Sequence, residues 1–245
     1  MRYSFTEVMG AQTRYLHAGK GPNLLLVHGT GLTADSWYLN IPRLAQHFTV
    51  YAPDLLDNGF TEAGPYTGGA PQPLCVEHLI GFADKLGIER FALLGSSFGC
   101  NIATLLHDRI PDRIESLVLV GPGSALDRPG GDWRNMYKGA YLNGLKAFER
   151  RMSGIRLEAA IRDYEIRSRL EHIRVPTLVL LGRQDPRGNF DQACESAKLS
   201  SDGALLAYDQ CGHWPHIEHP DRFNQDVVKF LLAKSGSQLL QGRAT

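Results

Sequence analysis

The sequence predicts an α/β fold, with a mostly parallel central sheet flanked by helices and a small helical cap. Three features carry that expectation: six short apolar runs, the amphipathic stretches between them, and one place where the alternation breaks. The runs lie at 24–27, 49–52, 91–94, 117–120, 177–181 and 204–208. Each is apolar without alternation, as a strand buried on both faces of a parallel sheet must be. Val76, Leu79, Ile80, Ala83 and Leu86 line one helical face, and Phe98, Ile102, Leu105 and Leu106 line another. Strand alternating with helix means an α/β layer arrangement. Ahead of the first run, 3–8 and 13–16 read as an antiparallel hairpin at the sheet edge.

The rhythm breaks after Val120. Trp133, Met136, Tyr137, Ala140, Tyr141, Leu145 and Phe148 recur at helical spacing, followed by Leu157, Ile161 and Tyr164. These stretches predict a helical cap over the C-terminal edge of the sheet. The expected division is a core of 1–126 and 175–234, a cap insert of 127–174, and a polar, flexible tail of 235–245.

Composition narrows the class. A chain of 245 residues with 43% hydrophobic content can bury one large core. Basic and acidic residues balance at 26 each, which gives no reason to expect a nucleic-acid or anionic-membrane partner. No apolar run approaches the ~20 residues of a bilayer span, and residues 1–10 lack the pattern of a signal peptide. Cys75, Cys100, Cys194 and Cys211 are scattered without metal-ligand spacing, so free thiols in the cytoplasm are expected, with no metal. The partner expected is a small-molecule substrate; the oligomeric state is not legible.

The chemistry centres on Gly95-Ser96-Ser97-Phe98-Gly99. An apolar run leads into it and a helical stretch leads out. That strand–turn–helix context turns G-x-S-x-G into a nucleophile elbow. The sharp turn exposes the Ser97 hydroxyl at the strand's end, and the Phe98 amide at the helix start can stabilise an oxyanion. Serine is a poor nucleophile at neutral pH and needs a base. Of nine histidines, His213 follows the last strand run in Cys211-Gly212-His213-Trp214-Pro215. His28 reads as a locally bonded loop residue. His47, His78, His107 and His172 read as surface or boundary positions, and His216 and His219 as mainly structural. The base needs a carboxylate to fix its tautomer. Asp185 stands just past the 177–181 run; Asp54 competes but precedes the nucleophile, which suits a loop-fixing role better. The second oxyanion donor is expected from His28-Gly29-Thr30-Gly31-Leu32, first from Thr30 and then from Gly31, with glycines allowing close approach.

At these residues the chain resembles the α/β-hydrolase superfamily over nearly its whole length. His28-Gly29, Pro53-Asp54-Leu55, Gly95-x-Ser97-x-Gly99, Gly182-x-x-Asp185 and Gly212-His213 stand in that family's order. The resemblance implies the α/β-hydrolase fold and a Ser97–Asp185–His213 triad without cofactor. The stretch from Cys211 to Pro220 is also similar to the meta-cleavage-product hydrolases, which cut a carbon–carbon bond in vinylogous diketo acids. That likeness implies His213 as base and Trp214 as a pocket wall. Three positions depart from the subfamily or superfamily pattern: no Gly-Pro-Gly follows His28-Gly29, Ser96 replaces asparagine, and Cys100 replaces glycine.

Between 127 and 174 there are 11 lysines and arginines against 7 aspartates and glutamates. A basic lid suits a carboxylate-bearing substrate, and an ordinary solvated helix surface gives the same excess. Gly29, Gly31, Trp133, Tyr137 and Trp214 are the expected substrate contacts. The leading expectation is a cofactor-free serine hydrolase of a small acyl compound. Ester cleavage is favoured slightly over carbon–carbon cleavage because it is the broader class. A lyase or cofactor-free oxygenase, or a ligand receptor, remains open on the same scaffold.

Overall fold

Alternate residues of the inner strands go to opposite faces of the sheet, which is why the strand runs are apolar throughout. Leu25, Val27, Leu93, Leu117, Leu119, Val179 and Leu181 pack on one side. Leu24, Leu26, Val50, Leu94, Val118, Val120, Leu178 and Leu180 pack on the other. Full burial of each such side chain stabilises the fold by about 1.5–3 kcal/mol before entropic costs.

The computed structural model describes residues 1–62, 72–122, 167–186, 190–200 and 202–241. Eight strands form one sheet: β1 (Arg2–Val8), β2 (Ala11–Ala18), β3 (Asn23–Val27), β4 (Thr49–Pro53), β5 (Phe91–Ser96), β6 (Ile114–Val120), β7 (Thr177–Gly182) and β8 (Gly203–Tyr208). Their order is β1-β2-β4-β3-β5-β6-β7-β8. The β1–β2 hairpin is antiparallel and joins β4 antiparallel, while the remaining pairings are parallel. The predicted edge hairpin and the six further strands are therefore all present. Strand β8 forms the opposite edge of the sheet, so of its residues only Tyr208 is fully buried, not the whole run as expected.

Helices α2 (Gln72–Lys85), α3 (Phe98–Arg109) and α5 (Phe190–Ala197) cover one face. Helix α1 (Ile41–Leu44), the single turn Ala34–Trp37 and α7 (Pro220–Gln241) cover the other. Two short helices complete the described set, α4 (Arg167–Leu170) and α6 (Pro215–Glu218). Most of the expected cap, 127–166, lies outside the described residues, and Trp133 and Tyr137 with it. Its last expected residues form α4 and the approach to β7. Helix α7 continues past Ser235 to Gln241, through part of the segment read from sequence as a tail; residues 242–245 lie outside the described residues. No described helix is long and apolar enough to cross a membrane.

Two histidines correct the reading of α2 and α3. His78 is fully buried, with Nε2 2.7 Å from Thr13 Oγ1, and His107 is buried as well. The faces that a lone amphipathic helix would give to water are covered here, because α2 packs on both β1 and α3. Burial pushes the His78 pKa down to about 4 and lowers that of His107.

Candidate active site

Strand β5 passes into α3 through one residue, Ser97, at φ 52° and ψ −116°. A non-glycine residue held there stores about 1–3 kcal/mol of strain. Surrounding bonds hold it: the Ser97 amide donates to Val120 O at 2.8 Å, and Ser97 O accepts from the Cys100 amide at 2.8 Å. The flanking glycines are steric necessities. A Cβ on Gly95 would stand 2.2 Å from Gly99 O, and one on Gly99 2.3 Å from Val27 O. Cys100, where the superfamily pattern has glycine, fits because its buried thiol donates to Gly95 O at 3.2 Å and Val120 O at 3.4 Å.

The ends of β7 and β8 bring the other two predicted residues to Ser97. His213 Nε2 lies 2.9 Å from Ser97 Oγ, and His213 Nδ1 lies 2.7 Å from Asp185 Oδ2. Asp185 and His213 are each 6% exposed, so this hydrogen-bonded chain is largely shielded from water. With the Nδ1 proton facing the carboxylate, Nε2 is left to accept from the serine hydroxyl. Gly121, at φ 53°, lies against the histidine, and a Cβ there would come within 2.5 Å of His213 O. The Trp214 ring is half-buried, 5.7 Å from the His213 ring.

The loop after β3 reaches the elbow at Gly29, where an added Cβ would stand 3.1 Å from Ser97 Cβ. The Leu32 amide donates to Gly29 O at 3.2 Å, closing a turn with Thr30 and Gly31 at its centre and Gly31 at φ 68°. Thr30 thus stands next to Gly29, which approaches Ser97, and Phe98 opens α3 directly after that serine. His28 accepts from the Leu55 amide on Nε2 at 2.9 Å, so its Nδ1–H donates to Gly29 O at 2.9 Å. Burial lowers its pKa and keeps it neutral.

Asp54 fixes loops. Its fully buried carboxylate accepts from the Ala34 amide at 2.7 Å and the Phe60 amide at 2.9 Å, and faces Arg14 Nη1 at 3.3 Å. Arg14 also forms a two-point pair with Asp35, both contacts at 2.7 Å, which raises the arginine pKa and lowers that of Asp35. The sequence reading did not find Arg14 or Asp35, since nothing local to either predicts a partner 40 or 21 positions away. It also missed Glu218, whose Oε2 and Oε1 accept from the Gly212 and Trp214 amides at 2.7 and 2.9 Å. Backbone partners leave no mark on residue type. His216 is fully buried between Trp37, at 4.4 Å between ring centres, and Phe223, at 5.9 Å, which fits its structural reading. Among the described residues, no group of three or more His, Cys, Asp or Glu is placed to hold a metal ion.

The profile of the alpha/beta hydrolase family matches residues 24–226. The 2-hydroxymuconate semialdehyde hydrolase of Pseudomonas sp. strain CF600 is 31% identical over 258 aligned positions, covering 91% of each chain. The 2-hydroxy-6-oxo-2,4-heptadienoate hydrolase of Pseudomonas putida F1 is 30% identical, covering 92% of this chain and 94% of that one. Among solved structures, the meta-cleavage product hydrolase of Pseudomonas fluorescens IP01 superposes with a TM-score of 0.78 at 25% identity, covering 94% of this chain and 97% of that one. The chain belongs to the alpha/beta hydrolase family.

Proposed function

We propose that the protein is a cofactor-free serine hydrolase that cleaves a carbon–carbon bond in 2-hydroxy-6-oxo-dienoate-type acids. The observation that carries the hydrolytic reading is the unbroken relay from Ser97 Oγ through His213 to Asp185, at 2.9 and 2.7 Å. The carbon–carbon reading is supported by the relatives similar over nine-tenths of the chain, which are named as hydrolases of such compounds. Sequence alone tilts slightly to esters; these relatives tilt the balance the other way. Four scattered cysteines without metal-ligand spacing suit a reducing compartment such as the cytoplasm.

In this reading Ser97 Oγ adds to the terminal carbonyl of the substrate while its proton passes to His213 Nε2. The Thr30 and Phe98 amides bind the oxyanion. The substrate reacts as its 2-oxo tautomer, formed when the 2-hydroxyl proton is transferred to C5 before the attack. Collapse breaks the C5–C6 bond, and the electron pair left on C5 is taken up through the conjugated C3=C4 bond by the 2-oxo group as a dienolate. The imidazolium returns its proton to that dienolate. Water, deprotonated by the same histidine, then releases the acyl group as a carboxylic acid and restores Ser97. Asp185 stabilises the imidazolium in both halves.

One parallel assay tests this. Purified enzyme should bleach a coloured 2-hydroxy-6-oxo-dienoate quickly and hydrolyse p-nitrophenyl acetate slowly. Removing the substrate carboxylate should cost about 1.5–3 kcal/mol of transition-state binding, the scale of a charged hydrogen bond. Fast turnover of neutral esters, with no gain from a carboxylate, discards the carbon–carbon reading and leaves the triad standing. Tight binding with turnover far below ~1 s⁻¹ marks a receptor instead.

A further inference from the structure

His213 sits on a stretch without regular structure, between the end of β8 at Tyr208 and the start of α6 at Pro215. A base on such a loop needs its backbone held if Nε2 is to stay in reach of a serine hydroxyl. Cys211 O accepts from the Gln184 amide at 2.9 Å, which ties the loop's beginning to the loop of Asp185. The two amides that flank the histidine have one common partner. Gly212 N–H donates to Glu218 Oε2 at 2.7 Å, and Trp214 N–H donates to Glu218 Oε1 at 2.9 Å.

We propose that Glu218 is a positioning residue for His213, its two carboxylate oxygens gripping the amides on either side of that residue. The proposal rests on the reading of His213 as base to Ser97. Two charge-assisted bonds to one rigid planar group fix both the place and the tilt of the intervening residue, where a single bond would leave a hinge. Helix capping accounts for only half of the arrangement. A side chain reaching back from the first turn satisfies the amide at the helix start, here Trp214, and has no need of Gly212 upstream of the histidine. A second observation agrees. A Cβ at position 212 would stand 3.3 Å from both Glu218 oxygens, so the loop closes on the carboxylate at a distance that favours glycine. Glu218 is itself anchored, its amide donating to Trp214 O at 2.9 Å, and it is exposed, so core packing does not require its charge.

The test uses Glu218→Gln, Glu218→Ala and, as a control for loss of a surface carboxylate, Glu77→Gln. A fluorophosphonate labels an activated serine without any need to know the substrate, and its saturation kinetics separate the chemical step from reagent binding. Glu218→Gln keeps the shape but turns an NH2 towards one amide, and Glu218→Ala removes both acceptors. Both should lower the maximal labelling rate of Ser97 by about tenfold or more, the scale of a small misplacement of a reacting group. The half-saturating concentration and the far-ultraviolet circular dichroism should be unchanged, and Glu77→Gln should label like the wild type. In amide NMR spectra, Gly212 and Trp214 should resonate downfield in the wild type and move upfield in both Glu218 variants. Unchanged labelling rates in both Glu218 variants overturn the proposal, and so do unmoved amide signals. Wild-type protein that is not labelled at Ser97 overturns the triad reading instead, and the amide shifts then report on the grip alone.

Discussion

Asp185 and His213 stand 28 positions apart, yet their side chains meet at 2.7 Å because β7 and β8 are parallel neighbours that end side by side. Each residue lies a few positions beyond its strand, so the pairing follows from sheet order rather than from any local motif. The geometry predicts that Asp185→Asn lowers turnover by ~10³–10⁴, since the amide favours the wrong histidine tautomer. Circular dichroism should stay native. Ser97→Ala should abolish fluorophosphonate labelling. Near-normal turnover in Asp185→Asn overturns the assignment of Asp185 as the acid partner of His213.

Asp54→Ala separates stability from chemistry. Asp54 accepts two backbone amides and faces Arg14, all in a buried setting. Its loss leaves those donors without their acceptor and part of the Arg14 charge unbalanced, although Asp35 retains its two-point contact. Urea denaturation should show a loss of about 3–5 kcal/mol, the scale of breaking a buried charged pair. Because Asp54 holds the Ala34 amide just beyond the loop of Thr30, turnover should also drop, but far less than in Asp185→Asn. A drop as large as that of Asp185→Asn with full stability reverses the two assignments.

The hydrogen-bonded chain of Ser97, His213 and Asp185 was legible because the proposed chemistry restricts residue type and the fold restricts place: a serine at a strand–helix turn, then an acid and a histidine past later strands. The inner strands were legible because burial on both faces leaves apolar runs that nothing else explains. His78 and His107 were misplaced because one helix's pattern cannot reveal that a hairpin and a second helix cover its outer face. The Arg14–Asp35–Asp54 cluster escaped for a related reason. Charged residues dispersed along a chain look solvated until the sheet brings β2 beside β4. Glu218 lay within the stretch that carries the subfamily likeness, but its partners are backbone amides, to which residue patterns are blind.

Gly121→Ala should damage the site at the backbone and Nδ1 edge of His213. Residue 121 has φ 53°, and its new Cβ would meet His213 O at 2.5 Å and Nδ1 at 3.3 Å. The backbone oxygen cannot yield without moving the imidazole. Stability should fall by about 1–3 kcal/mol from the strained conformation and the clash. The fluorophosphonate labelling rate should fall by about tenfold or more. A variant that melts lower but labels at the wild-type rate shows that His213 tolerates the shift.

Acid should destabilise the protein before its carboxylates titrate. Burial depresses His78 to about 4 and His216 to about 3, with the nearby His213 adding to the effect on His216. Both pKa values in the folded state lie below the ~6.5 of an unfolded histidine. The unfolded chain therefore binds more protons in this window, and stability falls as pH drops. Their contribution is complete above about pH 6.5 and is lost progressively from there towards pH 4 and 3, at a limiting slope of about 1.4 kcal/mol per pH unit for each histidine. Neither ring can take up its proton without leaving its site, since His78 is buried against Thr13 and His216 lies between Trp37 and Phe223. Denaturation midpoints between pH 7 and 4 should show this slope, and the double variant His78→Gln/His216→Gln should flatten it even if it starts from a lower value at pH 7. A double variant as acid-sensitive as the wild type would assign the loss to other groups.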